Sequence, residues 1–131
     1  MKQVIGYTSG VFDILHIGHV NLLRNARALC DKLIVGVSTD DLVLEYKLKR
    51  PVMPFEYRIE IVRSLRYCDV AIPQTELNKQ GIVKKLAIDV LFVGDDWYQN
   101  NYGGEKCGVP VVYLPHTLGV CSNNLREENN L

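Results

Sequence analysis

The chain has 131 residues, 15 Lys and Arg against 15 Asp and Glu, 47% hydrophobic and 23% charged residues, the composition of one globular domain rather than two. Zero net charge excludes the basic excess of a general nucleic-acid binder, so any anionic partner is expected to be small. No apolar run approaches the roughly 18 residues of a bilayer span, and Met1-Lys2-Gln3-Val4 does not read as a secretory leader, so a cytoplasmic protein with neither nucleic acid nor membrane as partner is expected.

In chain order, Gln3 to Thr8, Lys32 to Val37, Cys68 to Ile72, Val90 to Val93 and Val109 to Leu114 are short runs of apolar β-formers bounded by Gly, Asp or Pro, which predicts five buried strands. Val20, Leu23, Ala26 and Cys30 fall on one face of a surface helix after the first run. Ile59, Val62 and Leu65 repeat that period after Pro54, and Ile82, Val83 and Leu86 do so more weakly. Strands alternating with helices, with strand runs apolar on both faces, predict an α/β, doubly wound, Rossmann-like five-stranded parallel sheet with helices on both faces. One domain over 1–131 is expected, with 126–131 as a frayed tail. The cysteines, Cys30, Cys68, Cys107 and Cys121, form no CxxC or zinc-type spacing and read as reduced thiols.

In such a sheet ligands collect at the carboxyl ends of the strands, so the loop after each strand bears the chemistry. After the first strand comes Gly10-Val11-Phe12-Asp13-Ile14-Leu15-His16-Ile17-Gly18-His19. Gly10 and Gly18 let backbone approach a ligand closely, and the helix amino end beyond them offers N–H groups to phosphate. His16 and His19 can donate hydrogen bonds to a phosphoryl group in its transition state. The other reading, a metal pair, lacks a third ligand nearby. Lys47, Lys49 and Arg50 precede Pro51 in a loop and read either as a mobile clamp on a polyanion or as a solvated charge run. Arg58 and Arg66, eight apart on the predicted third helix, lie near one face, free to meet phosphate or to pair with Glu56, Glu60 or Asp69. Asp95-Asp96-Trp97 follows an apolar strand and Gly94; its residues suit a base and ribose, or a turn with an N-capping Asp.

These segments together resemble the cytidylyltransferase branch of the HxGH nucleotidyltransferase superfamily, nearest its glycerol-phosphate members. GVFDILHIGH resembles GxFDxxHxGH, Lys47-Leu48-Lys49-Arg50 its KxKK segment after a second helix, Glu56-Tyr57-Arg58 its ExR, and Arg66-Tyr67-Cys68-Asp69 its RYVD. Gly94-Asp95-Asp96-Trp97 completes a series that runs to about Arg126. The resemblance implies His16, His19, Lys47 and Lys49 as catalytic, and Lys47 and Arg58 as acceptor contacts. It implies nucleotide contacts from Gly10, Val11, Phe12, Asp13 and Gly18 in the first loop, from Arg66 and Asp69, and from Asp96 and Trp97 around the cytidine. After the last strand, His116-Thr117-Leu118-Gly119-Val120-Cys121-Ser122-Asn123 stands where the branch carries RTxGISTT, adding His116, Thr117, Cys121 and Ser122.

The reaction so implied is attack by the phosphate of a small phosphorylated alcohol, glycerol 3-phosphate first, on the α-phosphorus of CTP, giving a CDP-alcohol and pyrophosphate. Mg²⁺ is expected on the triphosphate rather than in a protein-held metal site, and the resemblance implies a homodimer. His116 for Arg, Cys121 for Ser, and Val11 for the usual Thr depart from the branch and weaken phosphate contacts. Three alternatives follow: adenylyl transfer from ATP, a choline or ethanolamine phosphate acceptor caged by Tyr57, Tyr98 and Tyr102, and a nucleotide-binding module with weakened catalysis. A nucleophilic Cys121 has His116 nearby but no evident group to orient that imidazole.

Overall fold

Strands β1 (Ile5–Gly10), β2 (Lys32–Ser38), β3 (Val70–Gln74), β4 (Val90–Gly94) and β5 (Val111–Leu114) form one sheet in the order β3-β2-β1-β4-β5. The computed structural model describes residues 2–95 and 107–117. Every neighbouring pair is parallel, with Gly10 opposite Val37 and Gly94 opposite Leu114. The order reverses between β1 and β4, which makes the carboxyl ends of those two strands the switch point where a crevice opens.

The five expected strands are all present, with shifted ends. Val4 lies just outside β1, its N–H donating to the Asp31 carboxylate at 2.7 Å. At the entrance to β3, Asp69 accepts the Leu33 N–H at 2.7 Å and pairs with Arg27 at 3.0 Å, so the ladder begins at Val70 rather than Cys68. Pro73 interrupts donation from β3, which the sheet tolerates because β3 is an edge.

Helices cover both faces. On one side Leu23 and Ala26 of α1 (Ile17–Arg27) and Ile59 and Val62 of α3 (Phe55–Arg63) close over Leu33, Val35, Val37 and Phe92. On the other, Val83 of α4 (Gln80–Lys85) packs with Tyr7, Ile34 and Leu91. Leu33, Val35 and Val37 against Ile34 show the period-two alternation that feeds two separate cores. An additional helix, α2 (Asp40–Lys47), is capped by Thr39, whose Oγ1 accepts the Leu42 N–H at 3.2 Å, with Asp40 and Asp41 in its first turn. The third helix ends at Arg63, so Arg66 lies beyond it and does not share a helical face with Arg58 as the eight-residue spacing predicts.

Candidate active site

Between β1 and α1 the chain turns through two residues of left-handed backbone, Phe12 at φ 54° and Ile14 at φ 51°. Non-glycine residues pay about 1–2 kcal/mol each for that conformation, and it persists here because its ends are fixed. The Phe12 ring is buried in the core, and Asp13, 2% exposed, accepts the backbone N–H groups of Val52 at 2.8 Å and Met53 at 2.9 Å. Asp13 thus ties the first loop to the root of the basic segment.

The loop delivers two imidazoles to the start of α1. His16 is the N-cap residue, its Nδ1 accepting the Gly18 N–H at 3.0 Å, while Nδ1 of His19 accepts the His16 N–H at 3.1 Å. This is a capping box built from histidines. The rings stack with centroids 3.9 Å apart, and Phe12 meets the His19 ring edge-on. An Nδ1 that accepts cannot carry the proton, so both neutral rings hold it on Nε2. Burial keeps both neutral: it lowers the His16 pKa, and with the charge of His16 it brings that of His19 to about 4 against the opposing pull of Asp13. The result is two N–H donors with fixed tautomers beside a helix amino end. Gly18 is required by this packing, since a Cβ there would stand 2.7 Å from Cε1 of His16; Gly10 likewise lies against the Phe12 ring, which a Cβ would meet at 3.2 Å.

Lys47 is the last residue of α2 rather than part of the loop that the sequence predicts, with its Nζ 5.8 Å from the Tyr46 ring centroid, because the helix runs on until Leu48 caps it in left-handed conformation at φ 60°. Lys49 and Arg50 follow, exposed and outside regular structure. This is the solvent-facing cationic arm that either sequence reading allows, anchored behind at Asp13.

Arg58 is placed otherwise than as an acceptor contact. Its side chain is fully buried, donating from Nη1 to the carbonyls of Val11 and Ser38 at 2.7 Å, from Nε to Met53 O at 2.9 Å, and from Nη2 to Asp40 at 2.6 Å. The guanidinium fork joins the first loop, the end of β2, α2 and the arm's root. Val11 therefore contributes its carbonyl to this brace.

On the other side of the switch point, Asp95 at the end of β4 accepts the backbone N–H of His116 at 3.3 Å and contacts its ring Nδ1. The orienting group that the sequence did not disclose for His116 is this carboxylate. Thr117 accepts from Asn21 Nδ2 at 2.9 Å and lies 3.8 Å from the Cβ position of Gly18, which brings the last segment onto the amino end of α1. Asp95, Asn21 and Asp40 are the contributors that sequence reading missed as partners; only their placement after a strand or on a first helix gave a signal.

Arg66 and Asp69 are not brought to this crevice within the chain. Asp69 binds the start of β2 and the end of α1, at the amino edge of the sheet, and Arg66 donates to the hydroxyl of Tyr67 at 2.9 Å. Asp96, Trp97, Tyr98, Tyr102, Cys121 and Ser122 lie outside the described residues.

A doubly wound sheet with donors, a helix amino end and a cationic arm at its switch point defines a nucleotidyltransferase-type enzyme domain. The family model described as cytidylyltransferase-like matches residues 7–120, and the chain belongs to that family. It is 42% identical over 130 residues to the glycerol-3-phosphate cytidylyltransferase of Bacillus subtilis (strain 168), covering 98% of this chain and 97% of that one. It is 38% identical over 130 residues to the enzyme of the same name from Staphylococcus aureus (strain NCTC 8325 / PS 47), covering 98% and 95%. Its fold is shared with the lipopolysaccharide core biosynthesis protein of Thermoplasma volcanium GSS1, at a TM-score of 0.73 and 24% identity over 88% of this chain and 99% of that one.

Proposed function

We propose that this chain transfers a cytidylyl group from CTP to glycerol 3-phosphate. The observation that carries this reading is the His16–His19 pair, two neutral rings with the proton held on Nε2 at the switch point of the sheet. The names of relatives aligned over nearly the whole chain supply the substrates. A phosphate oxygen of glycerol 3-phosphate forms the new bond to the α-phosphorus as the bond to the pyrophosphate oxygen breaks. No enzyme-bound intermediate is needed, so catalysis consists of alignment and charge stabilisation. His16 and His19 donate from Nε2 to the reacting phosphoryl oxygens, and Lys47 and Lys49 close over the phosphates.

Among the described residues no three His, Cys, Asp or Glu side chains form a metal-binding group, and a magnesium ion held by phosphate oxygens and water needs none. When bound, it would draw charge from the leaving pyrophosphate. Nucleotide contacts from Asp96, Trp97, Cys121 and Ser122, and from Arg66 and Asp69, belong to this proposal. So does a homodimer working in the cytoplasm; no helix among the described residues is long and apolar enough to cross a membrane.

Pyrophosphate release with product mass tests the reading: CTP and ATP are each offered with Mg²⁺ and glycerol 3-phosphate, choline phosphate or ethanolamine phosphate. Release with CTP and glycerol 3-phosphate, yielding CDP-glycerol, is expected. Release with ATP alone, or with another acceptor alone, replaces the substrate assignment. Binding of CTP without release across the panel makes the chain a binding module.

A further inference from the structure

Asn21, on the second turn of α1, joins two side chains through opposite ends of its amide. Oδ1 accepts from Nη2 of Arg24 at 2.7 Å, and Nδ2 donates to Oγ1 of Thr117 at 2.9 Å. The polarity of this relay is fixed at its cationic end. A guanidinium has only N–H groups, so the amide atom facing Arg24 is the carbonyl oxygen, and the NH2 is left facing Thr117. Arg24 is also hydrogen-bonded to the Tyr67 hydroxyl, which accepts from Nη2 of Arg66 at 2.9 Å as well, so a second acceptor holds the guanidinium in place. Because Thr117 accepts from Asn21, its own hydroxyl proton is not spent on the amide. Among the described residues no other hydrogen bond engages that hydroxyl.

We infer that Asn21, oriented by Arg24, is a positioning residue that keeps the Thr117 hydroxyl as a hydrogen-bond donor to a phosphate oxygen bound at the amino end of α1. The inference rests on the triphosphate-binding reading above. Two distances put Thr117 there: its Cβ is 3.8 Å from the Cβ position of Gly18, the second residue of the helix, and its Oγ1 is 2.9 Å from the amide of Asn21, one turn further on. An ionised phosphate oxygen only accepts, so a hydroxyl that gave its proton to the protein would meet it lone pair to lone pair. In the neighbouring capping box, backbone N–H groups decide which imidazole nitrogen keeps its proton. Here a side-chain cation decides it, acting through an amide.

Asn21→Asp tests the polarity, because a carboxylate keeps both hydrogen bonds and reverses one: it accepts from Arg24 as before and takes the proton of Thr117. A merely structural role for Asn21 is therefore satisfied by this variant, whereas the donor is lost. Calorimetric titration of the full chain with inorganic tripolyphosphate is expected to show binding about 10-fold weaker for Asn21→Asp and about 5-fold weaker for Thr117→Val, with Thr117→Ser within about 2-fold of the wild type. The aspartate charge also repels tripolyphosphate, and the Thr117→Val background isolates that part: there Asn21→Asp is expected to cost less than about 3-fold. Thr117→Val binding as tightly as the wild type, or an Asn21→Asp loss of the same factor in both backgrounds, overturns the inference and leaves the triphosphate reading in place. A wild-type chain that does not bind tripolyphosphate overturns both. Because tripolyphosphate has neither base nor acceptor, these results are independent of whether the chain uses CTP, ATP or glycerol 3-phosphate, which the acceptor panel decides.

Discussion

His16 and His19 cap α1 with their Nδ1 atoms and keep their Nε2 protons for a ligand, so the same two rings that begin the helix constitute its candidate catalytic pair. The two functions separate by substitution. Asparagine at position 16 can accept the Gly18 N–H as an N-cap but lacks the imidazole donor; alanine loses both. His16→Asn is expected to unfold in urea near the wild-type midpoint while kcat falls at least about 100-fold. His16→Ala is expected to lose about 1 kcal/mol of stability in addition to its activity. Near-normal kcat in His16→Asn removes His16 from the reaction.

The depressed pKa of His19 has a consequence for acid stability. The folded ring protonates at about 4, whereas the unfolded ring protonates near the ordinary 6.5. Between those values the unfolded chain binds more protons, so this group makes stability rise with pH from about 4 to 6.5 and adds no slope above or below. Urea denaturation over that range is expected to show a slope contribution approaching about 1.4 kcal/mol per pH unit that is absent from His19→Asn. Equal slopes in both proteins contradict the assigned burial.

The architecture was legible because strand runs such as Lys32 to Val37 are apolar on both faces and their separators contain Gly, Pro or Asp. Helix α2 was not read from periodicity, since its eight residues bury only Leu42 and Val43; its signal is the Thr39-Asp40-Asp41 cap. In the site, the histidine pair was legible as chemistry, but its tautomers depend on which backbone N–H each Nδ1 meets. Arg58 shows a different limit. A sequence cannot distinguish an arginine aimed at phosphate from one aimed at carbonyls supplied by Val11, Ser38 and Met53, because those partners converge only after the sheet has formed. Asp95 and His116, separated by 21 positions, meet for the same reason: β4 and β5 end side by side.

Gly18 gives a sharp test of the packing between the rings and the helix. Alanine is favoured over glycine inside a helix by up to about 1 kcal/mol, yet its Cβ would stand 2.7 Å from Cε1 and 2.9 Å from Nδ1 of His16. The ring must swing away, breaking its own cap and unstacking from His19. Gly18→Ala is expected to change unfolding free energy by less than about 1 kcal/mol while turnover collapses as in His16→Asn. A variant as active as the wild type shows that the ring has another working position.

Arg58 supplies the last prediction, because its sequence-based role and its position in the fold lead to opposite results. Fully buried and donating to three backbone carbonyls and Asp40, it cannot be removed without leaving those acceptors dry. Arg58→Met is expected to cost about 3–5 kcal/mol, the usual penalty for breaking a buried charged pair. Arg58→Lys is expected to recover little, since an ammonium does not reproduce the planar fork that reaches Val11, Ser38 and Met53 together. Because those carbonyls flank the first loop and the root of the cationic arm, the folded fraction of either variant is expected to show higher KM for nucleotide and acceptor alike. Urea denaturation alongside initial rates with each substrate varied in turn checks both statements. An Arg58→Met protein of wild-type stability with only its acceptor KM raised would restore the direct acceptor contact.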